Sequence, residues 1–169
     1  MTLDQLNELN DQTAYDWFQL ACVAPKWVSQ MVAARPFSSL DDMQQQSAEI
    51  WRSLDKEQFL AAFEGHPMIG DVSTLKAKFA NTAGAAGHEQ SGAAIADENT
   101  LQMLLQKNKE YLNKHGFIFI IFATGKSAKE MLSALLSRID NNTDVEIANA
   151  AAEQNKITQL RLAKNLEQE

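Results

Sequence analysis

Only one stretch of this chain reads as a β-strand. Phe117-Ile118-Phe119-Ile120-Ile121-Phe122 is β-branched and aromatic throughout. A strand without a partner cannot make a sheet, because its backbone N–H and C=O groups need neighbours. The segment near 117–123 is therefore expected to run extended and buried among helices. The rest of the chain supports that reading. Alanine, leucine, glutamine, glutamate and lysine dominate, and there are only 3 prolines in 169 residues. The expectation is an all-α fold, a single compact bundle of about eight to nine helices over residues 1–169.

Local signals place those helices. Thr2 can cap a helix carrying Leu3, Leu6 and Leu9. Asp11 can cap a second that runs through Cys22, with Tyr15 and Phe18 at helical spacing. Pro25 suits the first turn of a third, which stops before Pro36 and buries Trp27, Met31 and Ala34. Ser39 to Ser53 reads as a fourth, with Met43, Ile50 and Leu54 as its apolar positions. Asp55 with Gln58 opens a fifth, and Gly65 ends it in the manner of a glycine cap.

From His66 to Gly87 the chain reads as loop, with a short helix around Ser73 to Ala80. A longer helix follows from about His88 to Lys114, with Leu101, Leu104, Leu105 and Leu112 on one face, and Gly116 ends it. Ser127 opens the next, with Met131, Leu135 and Ile139 inward. Thr143 with Glu146 reads as a capping box for the last, which carries Ile147, Ala151, Ile157, Leu160 and Arg161. No repeat, low-complexity tract or linker divides the chain.

Charge and cysteine content narrow the partners. The net charge is −7 and no basic run is present, which argues against nucleic acid. An anionic small substrate would need a local positive group. Cys22 is the single cysteine, so an internal disulfide and a CxxC site are ruled out. Met1-Thr2-Leu3-Asp4 does not read as a signal peptide. The longest apolar run, Phe117 to Ala123, is too short to span a bilayer. The last residues, Leu166-Glu167-Gln168-Glu169, carry no peroxisomal tripeptide. A soluble cytoplasmic protein with no membrane partner is the expectation.

The sharpest candidate for chemistry is His66-Pro67-Met68-Ile69-Gly70-Asp71. Proline pushes the residue before it out of the α region, so His66 is held extended or in a turn. An imidazole fixed that way can act as an acid or base near neutral pH, although a bare His-Pro is also a common turn. Glu89-Gln90 would sit at the start of the long helix. There an acidic residue ordinarily just answers the free N–H groups. It can also present a carboxylate and an amide to a ligand. Arg161 can snorkel to solvent or hold a carboxylate with its fork.

Two other motifs carry less. Gly125-Lys126-Ser127 looks like the end of a phosphate loop. The glycine required five residues earlier is Ile120, so a helix start capped by Ser127 is favoured. His66, His88 and His115 show no pair at ligand spacing, and no metal site is expected.

Taken in order, these residues resemble a family. His66-Pro67-Met68-Ile69-Gly70, Glu89-Gln90-Ser91-Gly92, Gly116-Phe117-Ile118-Phe119 with Ala123, and Ile157 to Leu162 with Arg161 follow the pattern of 2-oxo-4-hydroxy-4-carboxy-5-ureidoimidazoline (OHCU) decarboxylases. The likeness covers nearly the whole chain. It implies a helical, often dimeric, carboxy-lyase that needs no cofactor and converts OHCU to (S)-allantoin and CO2 in uric acid degradation. The resemblance makes His66 the catalytic histidine, with Pro67 shaping the pocket and Glu89 and Gln90 holding substrate. It makes the backbone of Ile120, Ile121, Phe122, Ala123 and Thr124 pocket lining, and Arg161 the holder of a substrate anion. Either His66 or Glu89 can give the final proton. Ala86 departs from the pattern, which often has a serine there; Ser91, Thr82 or a water would then supply any hydroxyl contact. The competing readings are a non-catalytic helical interaction module, with His66-Pro67 as a mere turn, and, less favoured, a metal-assisted hydrolase.

Overall fold

The computed structural model describes residues 1–68, 73–77, 79 and 98–166. Among them the helices run α1 Leu3–Glu8, α2 Asp11–Gln19, α3 Pro25–Ala34, α4 Leu40–Arg52, α5 Lys56–Glu64, α6 Glu98–His115, α7 Ala128–Arg138 and α8 Thr143–Asn165. Residues 73–77 and 79 are also helical, and no described residue lies in a β-strand. The all-α expectation holds. The chain divides into two compact units, Met1–Gly65 with Ala151–Glu169, and His66–Ala150.

In the first unit, α3 packs against α2, α4 and α5. Helix starts follow local cap chemistry. Thr2 and Gln5 form a reciprocal capping box on α1. Pro25 takes the first turn of α3, and Ser39 and Asp55 cap α4 and α5 through their side-chain oxygens. Asn10, not Asp11, caps α2, and that helix stops at Gln19 rather than Cys22. Phe18 lies at the centre of an edge-to-face cluster with Trp17, Trp27 and Phe37. The buried face of α4 is Met43, Ser47 and Trp51. Ile50 and Leu54 are only half-buried, because the Trp51 indole takes the inward position and donates to the Ala151 carbonyl at 2.9 Å.

Gly65 is the C-cap of α5, as expected. Its φ is −73°, an ordinary helical value. The glycine is needed for room, since an added Cβ would lie 2.5 Å from Val23 Cγ2.

In the second unit, α6 packs against α7. Its buried residues are Leu101, Leu104, Tyr111 and His115, with Leu105 and Leu112 half-buried at the margin. Gly116 follows at φ +80°, the left-handed conformation that ends a helix cheaply only with glycine. The imidazole of His115 bonds Thr143 Oγ1 at 3.0 Å and the Ile139 carbonyl at 3.2 Å.

Thr143 and Glu146 do not form the expected capping box. Asn142 does the capping, accepting from Val145 N–H at 2.9 Å, while Thr143 meets His115 and Glu146 turns inward. The inward face of α8 is also more polar than expected. Ile147, Ala150, Ala151 and Leu162 alternate there with Gln154 and Thr158, while Ile157 and Leu160 are half-buried.

Candidate active site

His66 follows directly on Gly65, at a bend beyond α5. It is half-buried, and Pro67 and Met68 after it are exposed. The proline restriction and the bend agree: the imidazole is carried on a turn at the end of a rigid helix. Glu89 and Gln90, with Ala86, Thr82, Ser91 and His88, lie outside the described residues.

The segment after Gly116 is built from its aromatic side chains. Phe117, Phe119 and Ile120 are buried. The Tyr111 ring meets Phe117 at 5.8 Å and Phe119 at 5.2 Å between centroids, both edge-to-face. Side chains two residues apart reach one ring only when the chain between them is extended. Residues 118–123 join no helix and no β-ladder among the described residues. Their backbone is therefore not consumed by sheet pairing.

Beyond Ile120 the segment opens: Ile121, Phe122 and Ala123 are half-buried and Thr124 is exposed. Lys126 Nζ donates to the Phe122 carbonyl at 2.9 Å and lies 6.0 Å from that ring's centroid. This is a local positive charge in an acidic chain. A turn closes the segment, with Lys126 N–H donating to the Ala123 carbonyl at 3.0 Å and Gly125 at φ +76°. Ser127 then caps α7. Gly125-Lys126-Ser127 is a turn and a helix start, as favoured over a phosphate loop.

A buried ionic cluster holds this segment from behind. Glu146 has no exposed surface and accepts from four donors. Tyr111 O–H reaches Oε1 at 2.7 Å and Arg138 Nε reaches it at 2.9 Å. Asn141 and Asn149 side-chain amides reach Oε2 at 3.0 and 2.8 Å. Burial opposes ionisation of this carboxyl, but the four donors and the Arg138 charge outweigh it and hold the pKa below the ordinary carboxylate range. Burial and the same carboxylate push the Tyr111 phenol far up. Arg138 extends the cluster to the segment, donating from Nη1 to the Ile120 carbonyl at 2.9 Å. The sequence reading missed this cluster. Its one local signal was a glutamate in the first turn of a helix, and that read as a cap.

In the first unit, Arg161 is half-buried on α8 and donates from Nη1 to the Ala21 carbonyl at 3.3 Å. Cys22 is the next residue, buried beside Thr158 and in the field of Arg161. Burial dominates there and pushes the thiol up to about 11, despite the hydrogen bonds of Ala24 and Thr158 and the Arg161 charge. A thiol of this kind is a core residue, not a nucleophile. Among the described residues no cluster of metal-ligating side chains occurs, and no helix is long and apolar enough to cross a membrane.

Comparison with known proteins agrees with this architecture. The OHCU decarboxylase family model matches residues 7–163. The chain is 34% identical over 152 residues to a uric acid degradation bifunctional protein of Arabidopsis thaliana, covering 88% of this chain and 46% of that one. It is 26% identical over 170 residues to a 2-oxo-4-hydroxy-4-carboxy-5-ureidoimidazoline decarboxylase of Haloferax volcanii, covering 100% of this chain and 98% of that one. A crystal structure of OHCU decarboxylase in the presence of (S)-allantoin superposes with a TM-score of 0.72 at 32% identity, over 92% of this chain and 97% of that one. The chain spans less than half the length of the first bifunctional relatives it matches, 46% and 32%. With a family match from residue 7 to residue 163 and this superposition over nearly the whole of both chains, the chain belongs to the OHCU decarboxylase family.

Proposed function

We propose that this chain is a carboxy-lyase that converts OHCU to (S)-allantoin and CO2 in uric acid degradation, acting without a cofactor. The observation that carries the reading is the family match across residues 7–163, which includes His66, the extended segment and Arg161. We read residues 1–169 as one functional domain, cytoplasmic and homodimeric.

The substrate's own chemistry explains what the residues need to do. Its carboxylate is attached to a carbon beside a C=N bond. When the bond to CO2 breaks, its electron pair delocalises toward that nitrogen, and a proton is then returned to ring carbon on one face. The electron sink is built into the substrate. The protein's task is orientation, a less hydrated setting for the carboxylate, and one directed proton transfer.

His66 handles the proton, from a turn that fixes its ring beside Pro67. Glu89 orients the hydroxyl or ureido N–H groups and is the other candidate proton donor. Gln90 pairs with the ring amide. The backbone of Ile120, Ile121, Phe122, Ala123 and Thr124 lines the pocket, free of any β-ladder. Arg161 binds an anionic part of the substrate with its fork.

The test is direct. OHCU is generated fresh from urate oxidation with the preceding hydrolase, and optically active allantoin is followed in the presence of chelator. The full chain should accelerate its formation. His66→Ala should keep its fold and lose about 100- to 10,000-fold in rate, the usual size of a general acid/base contribution. An unchanged rate in a folded His66→Ala protein would sink the role given to this residue.

A further inference from the structure

The Arg138–Glu146 pair is the one buried ionic cluster among the described residues that has no part in the proposed chemistry. Its arrangement is specific. The Arg138 side chain is 13% exposed and that of Glu146 0%. The guanidinium lies over the Phe119 ring, 4.5 Å from ring centroid to Cζ. Nε holds Glu146 and Nη1 holds the Ile120 carbonyl, while Nη2 is buried without a hydrogen-bond partner among the described residues. The two bonds it does make tie the start of α8 to the first backbone group of the pocket-lining segment.

We propose that Arg138 is a positioning residue for the substrate, fixing the register of the Ile120–Thr124 backbone. Glu146 serves as the anchor that holds its guanidinium in place. Tyr111 serves both ends of the device, its hydroxyl on Glu146 and its ring on Phe117 and Phe119. An extended segment outside any β-ladder has no strand neighbour to set its register. Arg138 does so with a planar fork, one prong on the anchor and one on the segment. Because the segment holds substrate rather than the reacting atoms, loosening it weakens binding more than chemistry.

This inference rests on the decarboxylase reading and on Ile120–Thr124 as pocket lining. Its test is steady-state allantoin formation by the full chain. Arg138→Lys keeps a positive charge for Glu146, but a single ammonium lacks the fork that spans both acceptors. KM for OHCU should rise at least about fivefold with kcat within about twofold, the pattern of lost uniform binding. Asn149→Ala removes a hydrogen bond to the same carboxylate but none to the segment, so it should lower stability and leave KM unchanged. If Arg138→Lys does not fold, the double variant Arg138→Met with Glu146→Leu removes both charges together and leaves no unpaired buried ion. It should show the same rise in KM. A wild-type KM in a folded Arg138 variant, or an equal rise in Asn149→Ala, overturns the positioning role. Absence of turnover by the unmodified chain overturns the decarboxylase reading, and this inference with it.

Discussion

Tyr111→Phe isolates one bond of the buried cluster. The ring contacts with His115, Phe117 and Phe119 survive the change, because only the hydroxyl is removed. What is lost is a 2.7 Å hydrogen bond to a fully buried carboxylate. Hydrogen bonds to charged groups contribute about 1.5–3 kcal/mol. Glu146 Oε1 keeps Arg138 Nε, so the carboxylate is not orphaned and the cost should be about 2 kcal/mol rather than more. For a chain of this size that is a fall in Tm of about 4–8 °C.

The loss should depend on pH with a definite sign. The folded pKa of Glu146 lies below its ordinary value. Its contribution to stability is therefore complete above the unfolded carboxyl pKa, about 4.3, and declines as pH falls through the lower folded value. Once Glu146 is protonated, Tyr111 donates to a neutral group, and the bond falls to about 1 kcal/mol. Urea unfolding followed by circular dichroism, at pH 7 and again below the folded pKa, measures both gaps. The m-value should match wild type at each pH. A loss below about 0.5 kcal/mol at pH 7, or a gap that does not narrow in acid, would refute an ionised Glu146 bound by Tyr111.

Cys22 should resist thiol reagents at pH 8 in the native protein and react at once in denaturant, since burial pushes its thiol up to about 11. Rapid native labelling would contradict that burial. Gly65→Ala should cost about 1–3 kcal/mol by overpacking against Val23, as read by urea midpoint. Val23→Ala in the same chain should recover part of it; no recovery would mean that the clash is not with Val23.

What was legible in the sequence was local. Caps at Thr2, Ser39, Asp55 and Ser127 depend on a side chain and an N–H three residues away, and such pairs survive in any tertiary setting. The helical class followed from a composition rich in alanine, leucine, glutamine, glutamate and lysine, with Phe117–Phe122 left as a lone extended segment. Illegible were features whose partners are distant in sequence. Tyr111 and Glu146 are 35 residues apart, so nothing in local spacing told Glu146 to turn inward instead of capping. Trp51 displaced Ile50 and Leu54 from the buried face because a carbonyl 100 residues on was there to accept its indole N–H. The need for glycine at Gly65 was hidden too, because the side chain that excludes a Cβ belongs to Val23, just before α3. In the candidate site, His66-Pro67 was readable because proline restricts its immediate neighbour. The support behind Ile120 was not, because a basic residue such as Arg138 in the last turn of a helix is already accounted for by the helix dipole.

The buried cluster bears on a general tension. Paired charges inside a protein rarely stabilise it more than a well-packed apolar set of the same volume would. An apolar set here would press on Phe119 but could not take the Ile120 carbonyl, which would then be left without its 2.9 Å donor. A buried carbonyl in an extended chain outside any ladder has no strand neighbour to donate to it, and at Ile120 a side chain supplies the donor. That donor must reach over an aromatic ring and hold one direction. A guanidinium does this, and once buried it requires an anion, which requires its own donors in turn. At Glu146 those donors are Tyr111, Asn141 and Asn149, beside Arg138 itself. The positioning role proposed for Arg138 accounts for this whole set through one acceptor, the Ile120 carbonyl, where a stability argument alone would favour an apolar replacement.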